Sequence, residues 1–165
     1  MKRVVIYNSG TGFTEKYAKW IAEELGCDAR PLKNQKAEEL REYDEVIYGG
    51  WIMAGKITGY DKICKWNLKK VVVFGCGMTT ASEEYVKKLA GDNQIDPELL
   101  FYFEGGYAPE KVGFFQKHLL NMIKKSLEKK QDKTEDELHT LETFAGADRT
   151  DRTYIEPLVR KLKNA

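Results

Sequence analysis

The chain has 165 residues, 42% of them apolar and 12% aromatic, enough for the core of one domain and too apolar for a disordered chain. Lysine and arginine number 27 against 26 aspartate and glutamate, so a net charge of +1 gives no overall field that singles out nucleic acid or an anionic membrane. No apolar run approaches the length of a membrane span.

Only four apolar residues follow Met1-Lys2-Arg3, too few for a signal peptide. Cys27, Cys64 and Cys76 are odd in number and lack Cys-x-x-Cys spacing. They read as free thiols in a reducing compartment, and a cytoplasmic location is expected. Two distant histidines, His118 and His139, with scattered cysteines make no metal site, and His139 is expected to be solvated in its charged stretch.

Short apolar runs alternate with longer helical patterns, the signature of a parallel sheet with crossover helices. The first run is 3–7, and a helix follows from Phe13 to Leu25, with Phe13, Tyr17, Ala18, Ile21, Ala22 and Leu25 on one face and Gly26 as its stop. Cys27 to Leu32 reads as an edge strand, because Pro31 cannot donate to a ladder, and Glu38 to Arg41 as a helical turn. Glu45 to Gly50 and Lys70 to Gly75 read as the third and fourth strands, both ending in glycine. Ser82 caps a helix running to Leu89, and Leu99 to Phe103 is the fifth strand, closed by Gly105-Gly106.

Beyond Gly106 the character changes. Val112 to Lys130 is a helix with Phe114, Phe115, Leu119, Met122, Ile123 and Leu127 on a broad apolar side and lysines at Lys111, Lys117, Lys124, Lys125, Lys129 and Lys130. Covering the sheet as a crossover helix is favoured over peripheral contact with a membrane surface for this segment. Glu128 to Thr140 is almost wholly polar, and Arg152 to Lys163 forms a last amphipathic helix.

The chemistry is concentrated where the first strand turns into the first helix, at Ser9-Gly10-Thr11-Gly12-Phe13-Thr14. Such a turn leaves backbone N–H groups aimed at one spot, at a helix end that carries roughly half a positive charge, and so attracts phosphate. It lacks the lysine of Gly-x-x-x-x-Gly-Lys-Ser/Thr, and Glu15 stands where Gly-x-Gly-x-x-Gly requires its last glycine. A site of hydroxyls and amides without a cation suits a single phosphate monoester, as in a mononucleotide cofactor. Right-handed crossovers place this turn on the same sheet edge as two other glycine-bearing turns, 49–55 and 75–81. A signalling receiver domain shares this strand order but needs acidic residues where Asn8-Ser9 and Tyr48-Gly49-Gly50 stand.

Ser9-Gly10-Thr11-Gly12-Phe13-Thr14 matches the flavodoxin phosphate motif Ser/Thr-x-Thr-Gly-x-Thr at every fixed position, and the chain resembles the flavodoxin-like family over nearly its whole length. Gly49-Gly50-Trp51, Gly55-Lys56-Ile57 and Gly105-Gly106-Tyr107 resemble the branch that includes flavodoxin-like protoporphyrinogen dehydrogenases. The resemblance implies one flavodoxin-like domain over 1–165 with a C-terminal helical extension from about 112. Its fold would be a three-layer α/β sandwich on a five-stranded parallel sheet of order 2-1-3-4-5.

The resemblance also implies FMN as cofactor, its phosphate held by Ser9, Gly10, Thr11, Gly12, Phe13 and Thr14. Trp51, Ile52, Met53, Ala54 and Gly55 would line one side of the ring, and Gly77, Met78, Thr79 and Thr80 the other. The implied activity is electron transfer between a reductase or reduced donor and a partner protein, quinone or small organic acceptor, with no catalytic acid or base. The alternatives are a protoporphyrinogen dehydrogenase-like enzyme and a non-catalytic flavin-binding regulatory module. Two features depart from electron-shuttle flavodoxins: the near-zero charge, and a loop 75–81 without an aromatic residue. The long basic insertion of the protoporphyrinogen branch after the fourth strand is missing, since Thr80 leads almost directly into the helix at Ser82.

Overall fold

Val4, Val5 and Ile6 are wholly buried, as are Ile47 and Tyr48 and, almost so, Val46, because both faces of the sheet they build are covered. The computed structural model describes residues 1–165. Its strands are β1 (Arg3–Asn8), β2 (Asp28–Pro31), β3 (Glu45–Met53), β4 (Lys56–Ile57), β5 (Val71–Gly77) and β6 (Leu100–Glu104). Its helices are α1 (Phe13–Leu25), α2 (Ala37–Leu40), α3 (Tyr60–Cys64), α4 (Glu83–Asn93), α5 (Phe114–Lys129), α6 (Glu135–Thr143) and α7 (Glu156–Lys163).

Five strands are parallel in the order β2-β1-β3-β5-β6, which is the expected 2-1-3-4-5 arrangement, and β4 adds a short antiparallel pairing to the end of β3. On one face Val5, Ile47, Val72, Phe74 and Phe103 pack with Tyr17, Ala18 and Ile21 of α1 and Leu158 and Leu162 of α7. On the other, Val4, Ile6, Val46, Tyr48 and Val73 pack with Leu40, Ile63, Leu89 and Ala90. The result is three layers of helix, sheet and helix.

The helical region after β6 corrects one expectation. No residue of α5 is buried, and the sheet is covered instead by α7, whose Leu158 and Leu162 are almost completely enclosed. The reason is geometric: α7 returns along α1 on a face left open by the earlier crossovers, and Arg3 Nη2 donates to Leu162 O at 2.6 Å to hold it there. Helices α5 and α6 form a hairpin inserted between β6 and α7, packed against each other at the loop-bearing edge of the sheet. The return of the chain is fixed by Tyr17, whose hydroxyl donates to Glu104 O at 2.5 Å and accepts from the Asp151 N–H at 3.2 Å. No helix is long and apolar enough to cross a membrane.

Candidate functional site

The parallel register sets the site. Asn8 pairs with Gly50, Gly50 with Gly75, and Gly77 with Glu104, so the strands deliver their carboxyl-end loops side by side. Between these loops and the α5–α6 hairpin lies a cavity of about 380 Å³.

Its floor begins with the turn after β1. Ser9 Oγ accepts the Gly12 N–H at 3.1 Å, which folds the turn on itself. Gly12 has φ +101°, a conformation in which any side chain is strained. The N–H groups of Gly10 and Thr11 make no hydrogen bond within the protein, and those of Phe13, Thr14 and Glu15 lie in the first turn of α1, where an α-helix has no internal acceptors for them. A Cβ on Gly10 would lie 3.2 Å from Gln116 Nε2 and 3.6 Å from Trp51 Nε1, so a side chain there would need the end of Gln116 to move aside slightly. Lys16, the nearest cation in sequence, is turned away onto Asp148 at 3.1 Å and Thr150 Oγ1 at 2.6 Å.

One wall is the end of β3 and its hairpin to β4. Ala54 and Gly55 form the two-residue turn with φ of 48° and 76°, as a turn of the tight hairpin class requires. Asn93 of α4 clamps this hairpin: its Oδ1 accepts the Ile57 N–H at 2.9 Å and its Nδ2 donates to Gly55 O at 2.8 Å. Trp51 O accepts from both the N–H and the hydroxyl of Thr58, at 3.0 and 2.9 Å, which fixes the backbone behind the indole.

The facing wall is the loop after β5. Tyr102 donates its hydroxyl to Thr79 O at 2.5 Å, and Tyr85 meets the Tyr102 ring edge-on at 5.0 Å. Burial pushes both hydroxyls above the ordinary tyrosine pKa, so they remain neutral donors. Cys76 lies beneath, its thiol within hydrogen-bonding reach of the Thr14 hydroxyl; burial pushes its pKa up to about 12, which makes it an inert thiol rather than a nucleophile.

Of the residues expected in the site, Gly10, Thr11, Phe13 and Thr14 line the cavity from the first turn, Trp51, Ile52, Met53, Ala54 and Gly55 from the second, and Gly77, Met78 and Thr79 from the third. Ser9 and Gly12 shape the first turn without lining the cavity, and Thr80 stands outside the lining.

Three contributions were not foreseen. Tyr85, Lys88 and Asp92 come from α4, Tyr107 from the segment after β6, and Val112, Gln116, Leu120 and Ile123 from α5 and its lead-in. The spacing 116, 120, 123 is a helical face visible in the sequence, but the spacing alone does not say whether that face covers a sheet or a cavity. The hairpin is anchored by a pair that also overturns the solvated reading of His139. Its Nε2 lies 3.0 Å from Glu104 Oε2, with side-chain exposures of 22% and 11%, while Glu104 Oε1 accepts the Ala81 N–H at 3.2 Å. Nothing in the local sequence gives this contact away, since it joins residues 35 positions apart.

These features define a doubly wound α/β protein with a turn of unpartnered backbone N–H groups at its topological switch point. A family model described as a flavodoxin domain matches residues 4–134, and the chain belongs to that family. Solved structures similar to the chain include flavodoxin 2 from Bacillus cereus, at 22% identity and a TM-score of 0.46, covering 88% of this chain and 98% of that one. Another is a flavoprotein in complex with FMN from Lactobacillus acidophilus, at 15% identity and a TM-score of 0.41, covering 62% and 90%. A comparison with curated proteins gives no match.

Proposed function

We infer that the chain binds FMN in this cavity and passes electrons between a reduced donor and a partner protein, quinone or small organic acceptor. The observation that carries the reading is the convergence of a cation-free turn, rich in unpartnered amides, with two glycine-bearing loops around one largely apolar cavity. The residues fit the group: the N–H groups of Gly10, Thr11, Phe13 and Thr14 and the Thr11 hydroxyl suit a phosphate, and Trp51, Ile52 and Met78 suit a flat apolar ring. FMN, when bound, supplies the electron-transfer chemistry, and no acid or base of the protein is needed for it. The chain's own work is to hold and shield. The Gly55 carbonyl is occupied by Asn93, which leaves Ala54 as the turn carbonyl open to a ligand. The α5–α6 hairpin limits access of water from the side opposite the sheet.

The test is a flavin titration of the purified protein. FMN should bind more tightly than riboflavin, and Thr11→Ala should weaken FMN by about tenfold while leaving riboflavin nearly unchanged, as expected for losing one hydrogen bond to a charged group. Wild-type FMN affinity in this variant would overturn the anchoring role of the Thr11 hydroxyl. Rapid reduction of the bound flavin by NAD(P)H or a cellular reductase supports electron transfer over a regulatory module.

A further inference from the structure

Helix α5 has two apolar faces, and the cavity uses only one. Gln116, Leu120 and Ile123 look into the cavity. Phe115, Leu119 and Met122, spaced i, i+4, i+7, form a second stripe that faces solvent; Phe115 is 88% exposed and Met122 57%. Phe114, 84% exposed, stands at the same end with its ring edge-to-face on Phe115 at 5.8 Å. An exposed stripe of this kind on an otherwise well-buried protein marks a surface that something else covers.

Charge indicates what covers it. Residues 111–130 hold six lysines and one glutamate, a local net charge of +5 in a chain whose total is +1, so the rest of the molecule is net acidic. Lys124 and Lys130 have carboxylate partners, Glu128 and Glu137, whereas Lys111, Lys117, Lys125 and Lys129 make no ion pair. Lys125 and Lys129 continue the face of Phe115 and Met122 at helical spacing. A second copy would offer this stripe the same excess of lysine, with one glutamate in 111–130, so charge does not favour self-association.

We propose that the outer face of α5, Phe114, Phe115, Leu119 and Met122 edged by Lys125 and Lys129, docks on an anionic lipid bilayer, with the helix lying in the plane of the interface. Aromatic side chains enter the boundary between headgroups and acyl chains, and the unpaired lysines sit among the anionic headgroups. The cavity then lies directly behind the docked helix, on the other face of α5. The proposal rests on the outer face alone and is independent of which ligand fills the cavity.

Co-sedimentation of the full chain with vesicles tests it. The protein should sediment with vesicles of phosphatidylcholine and phosphatidylglycerol at low salt, and at least about tenfold more weakly with phosphatidylcholine alone or at high salt. Phe114→Ser with Phe115→Ser should weaken binding by about tenfold, and Lys125→Gln with Lys129→Gln by a similar factor, with far-UV circular dichroism unchanged in both. Absence of binding to the anionic vesicles would overturn the proposal. So would wild-type binding by the phenylalanine variant, which would mean that charge alone is at work and the stripe serves an acidic protein. Concentration-dependent dimerisation lost in that same variant would assign the stripe to a second copy and overturn the proposal as well.

Discussion

The two edges of the sheet solve opposite problems. At the amino-terminal edge, Glu45 is wholly buried with its carboxylate held between Arg3 Nε and Lys70 Nζ, each at 2.6 Å, and Arg3 reaches on to the Leu162 carbonyl. These three charges satisfy one another inside the protein, and the edge is closed there. At the carboxyl edge the backbone of the first turn is left unpaired, Lys16, the cation nearest that turn in sequence, is diverted to Asp148, and an apolar cavity remains open. The first edge is built to stabilise the fold and the second to receive a ligand. Sheets of this class bind ligands at the carboxyl ends because loops there can vary without disturbing the core.

The sharpest way to break the comparison is Glu45→Ala. It leaves Arg3, 15% exposed, without its carboxylate, while Lys70, 43% exposed, turns to solvent, and should cost about 3 kcal/mol in urea denaturation, the lower end of the penalty for removing one partner of a buried ion pair. The FMN affinity of the molecules that stay folded should not change. A loss of affinity without a loss of stability would show that the two edges are not separate.

The closed edge and the sheet were more legible than the site. Hydrophobic runs such as Val71-Val72-Val73-Phe74 are buried on both faces of a sheet and read directly as strands, and Gly26 ends α1 with φ 63° as its position suggests. The phosphate-type turn was legible because its geometry is local, carried by six consecutive residues. The β3–β4 hairpin was not, because Ala54-Gly55 offers only half of the Asn-Gly signal that marks such turns, and Ala54 adopts its positive φ under tertiary constraint. The placement of α5 was hidden for a different reason. A helix with two apolar faces satisfies the pattern for covering a sheet, and only the presence of α7 shows that the sheet is already covered. The contact of Glu104 with His139 is wholly tertiary.

That contact gives a smaller effect on the open edge. His139→Ala removes the only hydrogen-bonding side-chain partner of Glu104 from the hairpin and should cost about 1 kcal/mol, the worth of one ordinary hydrogen bond. Hydrogen exchange should locate the loss: amides in 112–143 exchange faster, while those of β1 and β3 keep their protection. Equal acceleration in both regions would mean that the hairpin is not an independently opening part of the carboxyl edge.

The smallest effect comes from Asp148, which links the chain's return segment to the first helix. Partial burial pushes its carboxyl up, but hydrogen bonds from the Thr150 hydroxyl at 2.6 Å and N–H at 2.9 Å and from Lys16 at 3.1 Å outweigh this and hold it below the ordinary aspartate range. A depressed folded-state pKa means that the contribution is complete above the unfolded value of about 3.9 and is lost as pH falls through the lower folded value. The side chain is about half exposed, so solvent screening limits the contribution to a few tenths of a kcal/mol. Asp148→Asn should therefore be slightly less stable than wild type at neutral pH, and the gap should close in acid below about pH 4. A gap that persists unchanged in acid would assign the cost to lost side-chain geometry rather than charge. Lys16 would then be held off the phosphate-type turn by its hydrogen bond to Thr150 rather than by the Asp148 charge.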